Sequence, residues 1–166
     1  KLFVAALQPA RYPVILEYIM IREGTRPTRS NPSDAGLDVY WNPDSEEHKH
    51  GWPGYLQQGE SAVFKTGVKI GIPHGYMIQV MNRSSMASRG LVVGAHVIDA
   101  GYDGEILINL HNIKDYDVGI KPGDKIAQLV MIPVIHFRLR EVGSPLYRNA
   151  ICISDRGEGG FGSTGG

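Results

Sequence analysis

Cysteine is nearly absent from this chain, which has Cys152 alone. An internal disulfide is therefore excluded, and a reducing compartment such as the cytoplasm is expected. Neither sign of charge is in excess: Lys plus Arg and Asp plus Glu each number 17. No global field draws the chain to nucleic acid or to an acidic membrane. Long apolar runs are missing as well. In "KLFVAALQPARYP" the apolar stretch stops at Pro9, too short for a membrane span and a poor match to a secretory signal. Residues 1–13 are expected to be an extension outside the core. Long helices have little room, because 21 Gly and 10 Pro punctuate the 166 residues.

Strand signals fill the space that helices leave. The runs 14–21, 61–72, 76–82, 105–112 and 125–142 are rich in β-branched and aromatic residues, and several alternate apolar with polar. Turn signals separate them at Ile72-Pro73-His74-Gly75, Asp103-Gly104 and Lys121-Pro122-Gly123-Asp124. One helical turn is expected in "SSMASRG" (84–90), with Ser84 or Ser85 as its cap. Residues 41–59 read as a surface loop. Its "HKH" (48–50) is a weak metal signal, since two histidines alone do not make a site. Many short strands in a chain of this length predict one all-β domain, a sandwich or jelly-roll.

Polar islands interrupt that pattern. "SDAGLDVY" (33–40) sets acids around a glycine, and "NRSSMA" (82–87) offers a cation and two hydroxyls, all good phosphate ligands. "GAHVIDAGYDGE" (94–105) puts Asp99 in an apolar strand with Tyr102 shortly after, and "PGDKIAQLV" (122–130) places Gln128 in a strand otherwise strongly apolar. Each island alone has a structural explanation: Asp38 closes a turn, Ser84 caps, Gln128 pairs with backbone. The C-terminal "RGEGGFGSTGG" (156–166) alone would be a frayed end, since glycine loses most entropy on ordering.

Taken in order, "DAGLDVY", "RSSMA", "GAHVIDAGYDGE", "GDKIAQLV" and "RGEGGFGSTG" resemble the five motifs of the trimeric dUTPases, over about residues 14–165. The resemblance implies a distorted jelly-roll β-barrel of the dUTPase type over 14–153, and a flexible Gly-rich C-terminal arm over 154–166. It implies hydrolysis of dUTP to dUMP and pyrophosphate, which limits uracil incorporation into DNA and supplies dUMP for dTMP synthesis. It also implies a homotrimer whose active sites are each built from three chains.

Residue by residue, Asp99 resembles the base that orients and deprotonates the attacking water. Tyr102 matches the ring packed under the deoxyribose, and the backbone near Ala95 and His96 matches the hairpin that reads uracil. Arg83, Ser84, Ser85 and Gln128 correspond to phosphate ligands. Asp38 corresponds to a supporting residue acting through water and neighbouring chains, and is not a direct metal ligand. Phe161 in the arm would stack on uracil while Arg156, Ser163 and Thr164 close over the phosphates. Mg2+ would arrive on the triphosphate, held by phosphate oxygens and water with no protein ligand.

The chain departs from the family pattern in three places. Gly101 stands where a second Asp is commoner, His96 where a small residue is usual, and Lys125 where Arg is usual. The last change keeps charge and loses the bidentate fork. A dCTP deaminase would share this fold, but it needs a Glu where this chain has Asn109, and a neutral amide cannot serve as that base. The remaining alternative is a non-catalytic or moonlighting relative that binds a protein partner.

Overall fold

The structure, a computed structural model, describes residues 15–45, 54–141 and 143. The chain divides into two units, residues 1–135 and 136–166. Every strand named below belongs to the first. In the second, the described residues have no regular secondary structure, and Phe137 and Leu139 are 79 % and 91 % exposed. The sequence-based expectations for residues 1–13, for "HKH" and for the arm at 154–166 fall outside the described residues.

The fold is all-β, as expected. In chain order the strands are β1 (Glu17–Met20), β2 (Leu37–Tyr40), β3 (Tyr55–Leu56), β4 (Ser61–Lys65), β5 (Val68–Gly71), β6 (Tyr76–Met81), β7 (Leu91–Val93), β8 (Val97–Ile98), β9 (Leu107–Asn112), β10 (Val118–Gly119) and β11 (Lys125–Pro133). A short helix, α1 (Ser84–Ser88), follows β6. Two sheets carry the structure, β2-β11-β6-β8 and β4-β9-β7, flanked by the ladders β1-β5 and β10-β3. Every pairing is antiparallel.

Period-two patterning decides which side chains face the core. On β9, Ile108, Leu110 and Asn112 are buried while Leu107 is exposed. Ile108 and Leu110 meet Phe64 of β4, Ile78 and Val80 of β6, and Ile126 and Leu129 of β11 in one apolar cluster. Each such side chain, fully buried, contributes roughly 1.5–3 kcal/mol. Met86 is the buried residue of α1 and anchors that turn to the same core.

Three sequence readings need correction. The run 61–72 is two strands, because the chain turns at Thr66–Gly67, where the Thr66 hydroxyl donates to the Ile106 carbonyl (2.6 Å). The run 125–142 leaves the sheet after Pro133. Trp41 and Asn42 belong to the core, not to a surface loop. Trp41 meets Phe64 edge-on (5.3 Å between centroids), and Asn42 donates to the carbonyls of Thr25 (2.9 Å) and Thr66 (2.7 Å).

Candidate active site

One irregularity in β11 assembles the first half of the site. Lys125 pairs with Tyr40 and Ala127 with Val39, so Ile126 is an extra residue, a β-bulge. Ile126 and Ala127 are both buried, and the parity of the strand flips across them. Lys125 and Gln128, three apart in sequence, therefore share one face with Asp38 and Tyr40 of β2. Without the bulge they would point to opposite sides.

On that face Asp38 is saturated by cations. Arg83 Nε donates to Asp38 Oδ1 (2.7 Å), and Lys125 Nζ lies 2.9 Å from Asp38 Oδ2. Burial pulls the Asp38 pKa upward, but hydrogen bonds and charge from Lys125 and Arg83 outweigh it and hold the carboxyl below its usual range. The same contact with Asp38 raises Lys125. Lys125 also reaches the Ser30 hydroxyl (3.4 Å) and sits 5.8 Å from the centre of the Tyr40 ring. Asp38 thus holds its two basic neighbours directly.

Arg83 occupies the N-cap position of α1, and no side chain caps the helix. The expected serine cap fails because Ser84 and Ser85 lie inside the helix, past the cap position, and the Ser85 hydroxyl instead accepts from Arg83 Nη1 (3.1 Å). Ser84 is exposed in the first turn. Gln128 lies opposite Met81 on β6, and its amide nitrogen donates to the Asn82 carbonyl (2.8 Å). Asp38, Arg83, Ser84, Ser85, Lys125 and Gln128 therefore form one neighbourhood, a cationic face lined with hydroxyls and an amide.

The second half lies on the connection between β8 and β9. Asp99 falls just past β8, not within a strand. The Tyr102 amide donates to the Asp99 carbonyl (3.3 Å), and Gly101 takes φ +84° at the bend, a conformation other residues adopt only with strain. Asp99 and Tyr102 line an open concavity of about 500 Å³ with Val97, Ile98 and Leu107. The Asp99 carboxylate has no hydrogen-bond or ion-pair partner among the described residues. None of the cationic face lines this concavity.

Between the halves run Gly94, Ala95 and His96. The expected hairpin is not a paired one: β7 pairs with β9, whereas β8 pairs with β6. The link crosses from one sheet to the other. His96 is fastened to Val80 twice, accepting from its amide (2.8 Å) and meeting its carbonyl through Nδ1 (2.9 Å). At Gly94 a Cβ would collide with the side chains of His111 and Asn109, so any larger residue there would have to displace them.

Register gives the distance between the halves. Ile98 pairs with Ile78 across β8 and β6, which sets Asp99 beside Met77. From Met77 to Arg83, at about 3.3 Å per residue, is roughly 20 Å of backbone.

A dUTPase family profile matches residues 22–165. The chain belongs to the dUTPase family. A deoxyuridine 5'-triphosphate nucleotidohydrolase of Anaplasma marginale is 42% identical over 142 residues, 84% of this chain and 88% of that protein. One of Candida albicans is 36% identical over 149 residues, 89% of this chain and 86% of that protein. Among solved structures, the dUTPase of Staphylococcus bacteriophage 80alpha with dUPNHPP superposes with TM-score 0.72 at 30% identity, covering 91% of this chain and 98% of that one. A mutant dUTPase from phage phi11 of S. aureus, described for its coordination of a structural Mg(II) ion, gives TM-score 0.64 at 28% identity, covering 78% of this chain and 97% of that one.

In this dUTPase-family chain, sequence reasoning missed the supports beneath the loop that carries Tyr102. Arg22 and Glu105 form a forked ion pair, in which Arg22 Nη1 meets Glu105 Oε1 and Nη2 donates to Oε2 (2.7 Å). Burial pulls the Glu105 pKa up, but the Arg22 contact, the Gly67 amide (2.7 Å to Oε1) and the charges of Arg22 and Lys65 bring it below the ordinary value. Glu105 lies in a quoted motif, yet Arg22 lies far upstream, and no local spacing connects them.

Proposed function

We propose that the chain is a dUTP diphosphatase, hydrolysing dUTP to dUMP and pyrophosphate. The contrast between its two site carboxylates carries the reading. Asp38 has both oxygens occupied by cations and cannot take a proton readily. Asp99 stands open at a concavity beside an aromatic ring, where it can accept one. A water held by Asp99 attacks the α-phosphorus in line and gives its proton to the carboxylate. The bond from the α-phosphorus to the bridging oxygen breaks, and pyrophosphate leaves with the pair of electrons.

Tyr102 packs under the deoxyribose and crowds out a 2′-hydroxyl. The backbone at Ala95 and His96 reads the uracil edge. Arg83, Ser84, Ser85 and Gln128 hold the phosphates, and Asp38 fixes Arg83 for that task. Arg156, Phe161, Ser163 and Thr164 of the arm close over the nucleotide. Among the described residues no three His, Cys, Asp or Glu side chains gather as a metal cage. Mg2+ would arrive on the triphosphate, held by phosphate oxygens and water, where it would neutralise phosphate charge.

One substrate cannot use Arg83 and Asp99 of the same chain if they lie roughly 20 Å apart along the sheet. The proposed enzyme therefore shares its sites between chains, and the five-motif resemblance to the trimeric dUTPases makes that assembly a homotrimer. Exposed apolar side chains support an assembly: Val63 (53 %) and Leu107 (44 %) on the outer face of β4 and β9, and separately Phe137 and Leu139. No described helix is long and apolar enough to cross a membrane. Deamination finds no support, since the Asn109 side chain donates to the Ala62 carbonyl (3.3 Å) on β4. The test is pyrophosphate release from dUTP, UTP, dTTP and dCTP with Mg2+. Rapid release from dUTP alone is expected, and none from dUTP would refute the reading.

A further inference from the structure

Tyr102 is held by more than its own turn. Its hydroxyl donates to the Glu105 carbonyl (3.0 Å), so the far edge of the ring rests on the backbone of Glu105. A Cβ at Gly104 would strike the Tyr102 hydroxyl, which shows the ring folded back across residue 104. The position of the Glu105 backbone therefore sets the tilt of the ring.

The forked pair with Arg22 fixes Glu105 in turn. The remaining acceptor capacity of Oε1 goes to the Gly67 amide (2.7 Å). Arg22 is itself steadied by the Asn42 carbonyl (3.2 Å). Its chain neighbour Ile21 is tied to the Gly67 carbonyl (2.8 Å), and Ile106, next to Glu105, donates to the Val68 carbonyl (2.8 Å). The fork thus joins the end of β1, the turn before β5 and the loop that carries Asp99 and Tyr102. The other charge contact of that loop, Lys69 with Asp103 (3.2 Å), has its carboxylate 93 % exposed and contributes little. Half-buried, with side chains 20 % and 14 % exposed, the Arg22–Glu105 pair is the firm attachment.

We infer that Arg22 and Glu105 are positioning residues for sugar selection, the fork holding the Tyr102 ring at the height that excludes a 2′-hydroxyl. This rests on the functional reading above, in which Tyr102 lies under the deoxyribose. A guanidinium is required because only its planar fork fixes both oxygens of the carboxylate, whereas an ammonium gives a point contact and lets Glu105 swing. Selectivity of about 10²-fold against an added hydroxyl in a crowded pocket depends on a wall that does not yield.

The experiment measures kcat and KM for dUTP and UTP, with melting temperature, in the wild type and in Arg22→Met, Arg22→Lys and Glu105→Gln. Glu105→Gln keeps an oxygen for the Gly67 amide and serves if Arg22→Met does not fold. The ratio of kcat/KM for dUTP over UTP should fall about tenfold in Arg22→Met, mainly because UTP improves relative to dUTP. It should fall less in Glu105→Gln and recover in part in Arg22→Lys. A purely structural pair would lower the melting temperature of all three and leave that ratio at the wild-type value. An unchanged ratio in Glu105→Gln, or in a folded Arg22→Met, overturns the inference while dUTP hydrolysis by the wild type stands. A wild type that releases no pyrophosphate from dUTP overturns both.

Discussion

Two inactive variants of this chain should restore each other's activity. Arg83→Ala removes a proposed phosphate ligand but leaves Asp38 paired with Lys125 at 2.9 Å, so the β2-β11 face keeps one of its two ion pairs and the fold should survive. Asp99→Asn removes the proposed base, and the amide, nearly isosteric, should stay open at the concavity. Register puts the two positions roughly 20 Å apart in one chain. If each site takes Asp99 from one protomer and Arg83 from another, an intact site needs an Arg83→Ala chain in the first role and an Asp99→Asn chain in the second. Random assembly from equal amounts makes each event about one in two, so about a quarter of all sites are whole. The mixture, unfolded together and refolded, should release pyrophosphate from dUTP at about a quarter of the wild-type rate per site. Light scattering should give three times the 18.2 kDa chain mass. A mixture no more active than its parents would show that one chain supplies both residues, and the register argument would fail.

Asp99→Asn alone should lower kcat by roughly 10² to 10⁴-fold, the usual worth of a positioned acid-base group, with binding of a non-hydrolysable dUTP analogue preserved. Calorimetric titration beside the rate assay checks both halves of that statement. Asn112, 1 % exposed, donates to the carbonyls of Leu56 (3.0 Å), Gln57 (3.0 Å) and Tyr116 (2.8 Å) and accepts from the Lys114 amide (2.9 Å). Asn112→Ala strands these groups and should cost about 2–3 kcal/mol, read as a lower urea midpoint. Asp38 has a folded pKa below its unfolded value of about 3.9, so its contribution is full above that pH and is lost as pH falls through the folded value. The melting-temperature gap between wild type and Asp38→Asn should stay constant from pH 6 to 8 and close in acid. A gap that widens in acid would contradict the assignment.

Much of this was legible in the residues themselves. The alternation in "EILINLHN" marks β9, and the five motifs name every member of the cationic face except Ser30. What escaped has a common cause. A bulge changes parity without changing composition, so nothing in "GDKIAQLV" says that Lys125 and Gln128 share a face. The short strands β3, β7, β8 and β10 have too few residues to show a period. Trp41 and Asn42 sit among turn-forming residues yet are drawn inside by Phe64 and Thr66, neighbours only in space. The fork between Arg22 and Glu105 spans 83 positions, and only the folded chain reveals it.

The placement of β11 bears on how readily each half of the site can be altered. It lies between β2 and β6, bonded along both edges, so amides in its middle, Gln128 included, should exchange with solvent only when the whole domain opens. Asp99, Gly101 and Tyr102 are exposed on a connection whose apex at Gly101 faces no atom within 4 Å of a would-be Cβ. Positions on that connection other than Gly101, which needs its φ of +84°, and Tyr102, held at Glu105, can accept new residues at little cost to the sheet. Mutational drift, or a library aimed at a different sugar, should therefore accumulate viable changes in the loop, while β11, proposed to hold phosphate through Gln128, stays fixed by the same bonds that keep the domain folded.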